Sequence, residues 1–198
     1  MNSEQLTVGL FSGLMIVVVG WRTWATARKQ GSVRGQTSML WSFYALYAMG
    51  VIVFGGAALE FFFLGRPRRW GLAVAGIGLY IVAQLIRAAA VRTLGRYWSL
   101  HIEIRQQQPL VREGPYRYVR HPAYAAFILE HIAVPLAGGA WWSLAAVGLG
   151  YVPLLLWRAR REEVELVKLL GARYQAFQRE VGMLVPRLAA LHRSQPAG

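Results

Sequence analysis

Stretches of about 20 apolar residues recur along the 198-residue chain, each long enough to cross a hydrocarbon core of about 30 Å as a helix. The chain is 56% hydrophobic and only 16% charged, a balance rare in a soluble domain of this length. It reads as an all-α polytopic membrane protein forming a single integral membrane domain over residues 1–198. Five transmembrane helices are expected, at about residues 6–24, 38–64, 70–91, 122–137 and 140–157. The first is interrupted by few polar residues, among them Ser12, Arg22 and Thr23, and has no Ala-x-Ala cleavage pattern, so it reads as a span rather than a removable signal. The second carries Trp41, Tyr44 and Tyr47 toward one end and Phe61, Phe62 and Phe63 toward the other, as interface aromatics are arranged, with Glu60 near the second interface. Arg87 lies near the end of the third, where a long side chain can snorkel. Gly71, Ala75 and Gly78 are small enough for close helix contacts. Gly138-Gly139 joins the last two spans into a hairpin. Residues 159–181 read as a C-terminal amphipathic helix lying along the membrane surface, with its break at Gly182.

The formal net charge is +13. Its distribution explains it without nucleic acid. Basic residues crowd the first and third loops and the C-terminal region, whereas the other side holds only Arg66, Arg68 and Arg69. By the positive-inside bias, the N-terminus is expected outside, with the long polar loop and C-terminal helix in the cytoplasm against anionic headgroups of the inner (cytoplasmic) membrane. There is no cysteine and no aspartate. Disulfides, thiolate nucleophiles and zinc-thiolate sites are excluded, and no metal site is expected.

Chemistry is concentrated in residues 110–124, LVREGPYRYVRHPAY, lodged between apolar segments. Gly114-Pro115 marks a turn, and Pro122 biases His121 away from helix while suiting the first position of the next one. The free backbone N–H groups of such a helix start face whatever precedes it. A histidine in this setting is more often a hydrogen-bonded cap than a catalyst, and neighbouring tyrosines are usually interface anchors. A second group, Arg158 with Glu162 and Glu163, stands where the fifth span ends. Arg158 and Glu162 are four apart and share a helix face, although base-before-acid is the weaker order for a simple salt bridge. Both groups sit at the cytoplasmic mouth of neighbouring spans. A carboxylate, a guanidinium, an imidazole and several aromatics around one cavity suit a zwitterionic cofactor and an anionic substrate. A third pair, Glu130-His131, lies inside the fourth span, where an ionisable group is a functional candidate by default and a charge neutralised by Arg87 is the blander explanation.

LGRYWS at residues 94–99, the stretch at 110–124, Arg158-x3-Glu162-Glu163, LG-x2-Y at 170–174 and Pro186 together resemble the isoprenylcysteine carboxyl methyltransferase family and its prokaryotic relatives, themselves similar to phospholipid N-methyltransferases. The resemblance covers residues 94–186. It implies an integral membrane methyltransferase using S-adenosyl-L-methionine and releasing S-adenosyl-L-homocysteine, with the cofactor held by the polar loop and C-terminal helix. The missing Gly-x-Gly-x-x-Gly turn agrees with a site outside any Rossmann domain. Leu110, Val111, Tyr116, His121, Pro122, Ala123 and Tyr124 fall on the family's cofactor-binding segment, Glu162 on its cofactor-binding acid and Arg158 on its substrate-side arginine. Gln108 stands where many members have histidine; it keeps hydrogen-bonding capacity without charge.

The resemblance implies a lipophilic or lipid-linked acceptor, best a carboxylate of an isoprenoid or prenyl-cysteine-like molecule, with Arg158 on the substrate side; Glu130, which the resemblance does not account for, is expected in a substrate pocket particular to this chain because it is ionisable at membrane depth. A phospholipid amine or thiol acceptor, an NADPH-dependent sterol-type reductase and a non-catalytic membrane assembly factor are the alternatives. Cofactor binding separates the last two from a methyltransferase. Nothing in the sequence sets an oligomeric state.

Overall fold

The computed structural model describes residues 2–27, 36–64, 69–98, 102–104 and 109–187. In chain order these form α1 (Ser3–Ala27), β1 (Gln36–Ser38), α2 (Leu40–Phe63), α3 (Trp70–Leu94), β2 (Ile102–Ile104), α4 (Pro122–Gly138), α5 (Trp141–Leu170) and α6 (Ala172–Glu180). Tight 3-10 turns occupy Gly95–Tyr97 and Gly114–Arg117. The fold is helical apart from one short ribbon, β1 antiparallel to β2 with Gln36 opposite Ile104.

The expectation of five transmembrane helices does not hold. Among the described residues four helices are long and apolar enough to cross a membrane: α1 over Ser3–Trp21, α2, α3 and α5. Helix α4 has only 17 residues, about 26 Å at 1.5 Å per residue and short of a core of about 30 Å. Pro122 fixes its start, and Gly139, at φ 60°, ends it in the left-handed conformation. The expected fifth span and the separate amphipathic helix at 159–181 are instead one rod, α5, unbroken from Trp141 to Leu170. It breaks at Gly171, whose φ of 56° a side chain would resist, and α6 then runs to Glu180, just short of the expected end at Gly182. Within α5, Val147–Tyr151 widens into a π-turn. Pro153 follows, and without an N–H it cannot serve the carbonyl four residues back.

Helix α3 buries Ala73, Gly76, Tyr80, Ala83 and Ala90 along one stripe, spaced by threes, fours and a seven. It lies against α4 at Gly76, where an added Cβ would come within 2.5–2.7 Å of Ala137 Cβ, the Ala133 carbonyl and the Ala137 amide. Gly71 and Gly78, in contrast, face open space within this chain. Phe11 of α1 stacks on Phe61 of α2 at 4.1 Å. Outward faces are apolar, with Leu149 84% and Phe63 78% exposed, as lipid contact requires.

Several polar groups inside the bundle have defined partners. Arg87 does not snorkel; it lies 3.7 Å from the buried Glu130. His131 is fully buried, stacked between Phe54 and Tyr151 at 4.8 and 3.6 Å, and its Nδ1 is 2.7 Å from the Phe127 carbonyl. At the opposite end of the bundle from the polar stretch, Glu60 accepts hydrogen bonds from the Trp142 amide (3.1 Å), the Ser143 amide (2.6 Å) and the Ser143 hydroxyl (2.7 Å). It caps α5 from a neighbouring helix.

Candidate active site

The buried face of α5 reads Leu155, Arg158, Ala159 and Glu163, with Glu162 beside it half-buried. Positions three and four apart share a helix face. The stripe therefore passes from the apolar core into the site without a change of direction. Below it, Leu166, Val167 and Leu170 pack against Tyr174, Phe177 and Val181, which folds α6 back under the site.

Tyr124 joins the two groups that the sequence placed on one face of α5. Its hydroxyl donates to Glu162 Oε2 at 2.7 Å and accepts from Arg158 Nε at 3.1 Å. Arg158 is only 2% exposed, and its Nη1 also donates to Ser42 Oγ on α2 at 2.6 Å. The His121 ring stacks on Tyr124 at 5.3 Å with an interplanar angle of 6°. His121 precedes the first residue of α4 without capping it, since its side chain makes no cap hydrogen bond; its Nε2 lies 3.1 Å from Glu163 Oε1.

Glu163, which the sequence groups with Arg158 and Glu162 without a role of its own, is the hub of a second network. Arg120 grips it with Nε at 2.6 Å and Nη2 at 3.3 Å, and Gln178 Nε2 donates to it at 2.8 Å. Arg120 Nη1 also reaches the carbonyls of Gln178 and Val181. The backbone completes this latch: the amides of Arg120 and His121 donate to the carbonyls of Gly182 and Met183 at 2.8 and 3.0 Å. The free N–H groups expected at the start of α4 are preceded by this chain crossing. The one cue to the two networks was the pair Glu162-Glu163 itself. Consecutive residues point about 100° apart on a helix, so two adjacent acids face two different neighbours.

Beside Tyr124, Tyr116 and Ala123 form a buried apolar wall with Trp98 and Ala90, packed by Val111, Leu94 and Phe127. Gly114, at φ 53°, makes the turn that lifts Tyr116 into this wall. Burial, with a smaller push from the Glu162 carboxylate, holds the Tyr116 phenol well above its ordinary pKa. Burial, then Glu163 and Glu162, does the same to Tyr174. Both therefore stay neutral at physiological pH. Pro122 is buried at the head of α4, and Leu110 packs on the far side against the Tyr174 cluster. Glu130 is six residues along α4 from Tyr124, about 9 Å deeper at 1.5 Å per residue, in its ion pair with Arg87. Gln108 lies outside the described residues. Among the described residues no cluster of metal-ligating side chains occurs.

The isoprenylcysteine carboxyl methyltransferase (ICMT) family matches residues 76–168, a segment that contains Tyr124, Arg158, Glu162 and Glu163. The chain is 30% identical to protein-S-isoprenylcysteine O-methyltransferase B of Arabidopsis thaliana over 76% of its own length and 77% of the relative's. It is also 30% identical to a methanethiol S-methyltransferase of a Pseudomonas strain, over 67% of its own length but 46% of the relative's. Its fold is similar to the structure of a eukaryotic intramembrane Ras methyltransferase ICMT, with a TM-score of 0.62 at 18% identity, covering 93% of this chain and 68% of that one. The chain therefore belongs to the isoprenylcysteine carboxyl methyltransferase family and is an S-adenosylmethionine-dependent methyltransferase built into the membrane.

Proposed function

We propose that the enzyme methylates an anionic, lipophilic acceptor, best a carboxylate of a prenyl-cysteine-like or isoprenoid molecule, at the site built on Tyr124, Arg158 and Glu162. The observation that carries this reading is Arg158: a guanidinium 2% exposed and hydrogen-bonded to the same tyrosine hydroxyl as Glu162. A cation and an anion one hydroxyl apart suit a positively charged methyl donor beside a negatively charged acceptor.

The residues present fit S-adenosylmethionine. Glu162 is half-buried and turned toward Tyr124, so its carboxylate can take the donor's ammonium. Trp98, Tyr116 and Val111 offer an apolar wall for adenosine, with Leu110, His121, Pro122 and Ala123 bounding the same segment. When bound, the sulfonium supplies an electrophilic methyl group. Arg158 holds the acceptor's anion in line with it, and the buried setting excludes water. A carboxylate is already ionised at pH 7 and needs no general base. Glu130 and Arg87, deeper along α4, lie where they can sort acceptors by the polarity of their tails. We place the site on the cytoplasmic side, because the basic loops share its end of the bundle.

Calorimetric titration of detergent-purified protein with S-adenosylhomocysteine, beside NADPH and the Glu162→Gln variant, tests the cofactor. Binding of S-adenosylhomocysteine in the wild type, weakened by about 2–4 kcal/mol in the variant, is expected, with no binding of NADPH. Unchanged affinity in Glu162→Gln sinks the assignment. A thiol acceptor is the second reading, favoured by the likeness to a methanethiol S-methyltransferase. The product separates the two, since a carboxyl methyl ester is released by base and a thioether is not.

A further inference from the structure

We infer that Ser42 on α2 is a positioning residue for the methyl transfer, setting the plane of the Arg158 guanidinium that faces the acceptor. The inference rests on the acceptor-side reading of Arg158. It lies outside residues 76–168, over which the family match extends.

Arginine can only donate hydrogen bonds, and this fixes the direction of every bond around Arg158. Nε donates to the Tyr124 hydroxyl, whose single proton then goes to Glu162. Nη1 donates to Ser42 Oγ, so the serine proton must go elsewhere. It goes to the Met39 carbonyl at 2.8 Å. Ser42 is fully buried. Met39, just before α2, stands at φ 57° and ψ 44°, among the described residues the one non-glycine residue with positive φ. That costly conformation turns its carbonyl to receive both the Ser42 hydroxyl and the Ser42 amide, the latter at 3.0 Å. With its proton committed to Met39, Ser42 can present only a lone pair to Arg158.

A guanidinium is planar, and two contacts at different nitrogens fix its plane where one would leave it free to turn. Tyr124 on α4 supplies the contact at Nε and Ser42 on α2 the contact at Nη1. The two helices thus hold a group carried by a third. Removing the serine hydroxyl takes away the Nη1 contact to α2 while Tyr124 and Glu162 keep their own bond. The loss should fall on the acceptor and not on the cofactor.

The test uses the full chain in detergent, as wild type, Ser42→Ala, Ser42→Thr, Arg158→Ala and the Ser42→Ala/Arg158→Ala double variant. S-adenosylhomocysteine affinity is measured by calorimetry. Methyl transfer from labelled S-adenosylmethionine is followed over a range of N-acetyl-S-farnesylcysteine, a carboxylate probe, and of a long-chain alkanethiol. Ser42→Ala is expected to keep its S-adenosylhomocysteine affinity within twofold, which also reports a folded site. It should raise the acceptor KM about tenfold with kcat within threefold, recover toward wild type as Ser42→Thr, and add nothing further in the Arg158→Ala background. An unchanged KM in Ser42→Ala, where Arg158→Ala raises it, overturns the role of Ser42 and leaves the reading of Arg158 standing. An unchanged KM in Arg158→Ala, or a wild type that turns over neither probe, removes that reading and the inference with it.

Discussion

Glu162 and Glu163 are neighbours with opposite assignments, and their variants should separate cleanly. Glu163 ties down the buried Arg120, whose side chain is 8% exposed, so Glu163→Gln leaves a buried cation without its counter-charge. A loss of about 3 kcal/mol in stability is expected, as when one partner of a buried pair is removed. Glu162 faces a neutral hydroxyl, and a glutamine can still accept from Tyr124, so Glu162→Gln should melt within a degree or two of wild type. Thermal unfolding of the two variants in detergent checks both statements, and an equal drop in both would refute the division. The residues of this site were legible because polar side chains stand out in an apolar chain: His121, Tyr124, Arg158 and Glu162 were all marked by sequence and do meet. Their partners were less visible. Arg120 looked like one more loop arginine, Glu163 like the solvated twin of Glu162, and Ser42 like a tolerated hydroxyl near the start of a span. Each acquires its meaning from a helix far away in sequence, which local pattern does not report.

Between helices, α3 lies close against α4, and one glycine permits it. Gly76→Ala should cost about 1–3 kcal/mol, because its Cβ would meet the α4 backbone at Ala133 and Ala137, which cannot swing aside as a flexible side chain can. Gly78→Ala, on open space, should be neutral or mildly stabilising through helix propensity. Side-by-side melting curves decide it; a Gly76→Ala variant as stable as Gly78→Ala would mean that the helices can part without cost. Composition marked this region as small-residue contact but not its phase, since Gly71, Ala75, Gly76 and Gly78 look alike until the partner helix is known. Element ends were misjudged for a similar reason. An apolar run starting at Pro122 looks like a span until its length of 17 residues is set against the bilayer. The periodic pattern of residues 159–170 looks like a separate amphipathic helix until Arg158 and Leu155 are seen on its own buried face. Gly182 looks like its end until the turn at Gly171 is seen. The positive φ at Gly171 decided the matter, while Gly182 pairs in parallel with Val119, where an added Cβ would collide with the Val185 carbonyl.

Across the whole molecule, α5 is fastened at both ends by glutamates of different origin. At one end Glu60 of α2 caps the amides of Trp142 and Ser143, which Ala140, without a polar side chain, cannot serve. At the other, its own Glu162 and Glu163 reach α4, the loop before it and α6. From Ser143 to Glu162 the rod covers 19 residues, about 28 Å at 1.5 Å per residue. A rod of that length could act as a lever, so that loosening its far end disturbs the methyl-transfer site. The contacts argue otherwise. Between the two ends α5 is held by a continuous core including Val147, Tyr151 and Leu155, and its site end is pinned independently by Ser42, Tyr124 and Arg120. Sites this far apart with no shared partner contribute separately to stability. Glu60→Ala should therefore lower stability by about 1–2 kcal/mol, the usual loss of a helix N-cap. Its S-adenosylhomocysteine affinity should stay within twofold of wild type. Melting and calorimetry on the same preparation make the comparison, and an affinity that falls in step with the melting point would show that the two ends of α5 move as one.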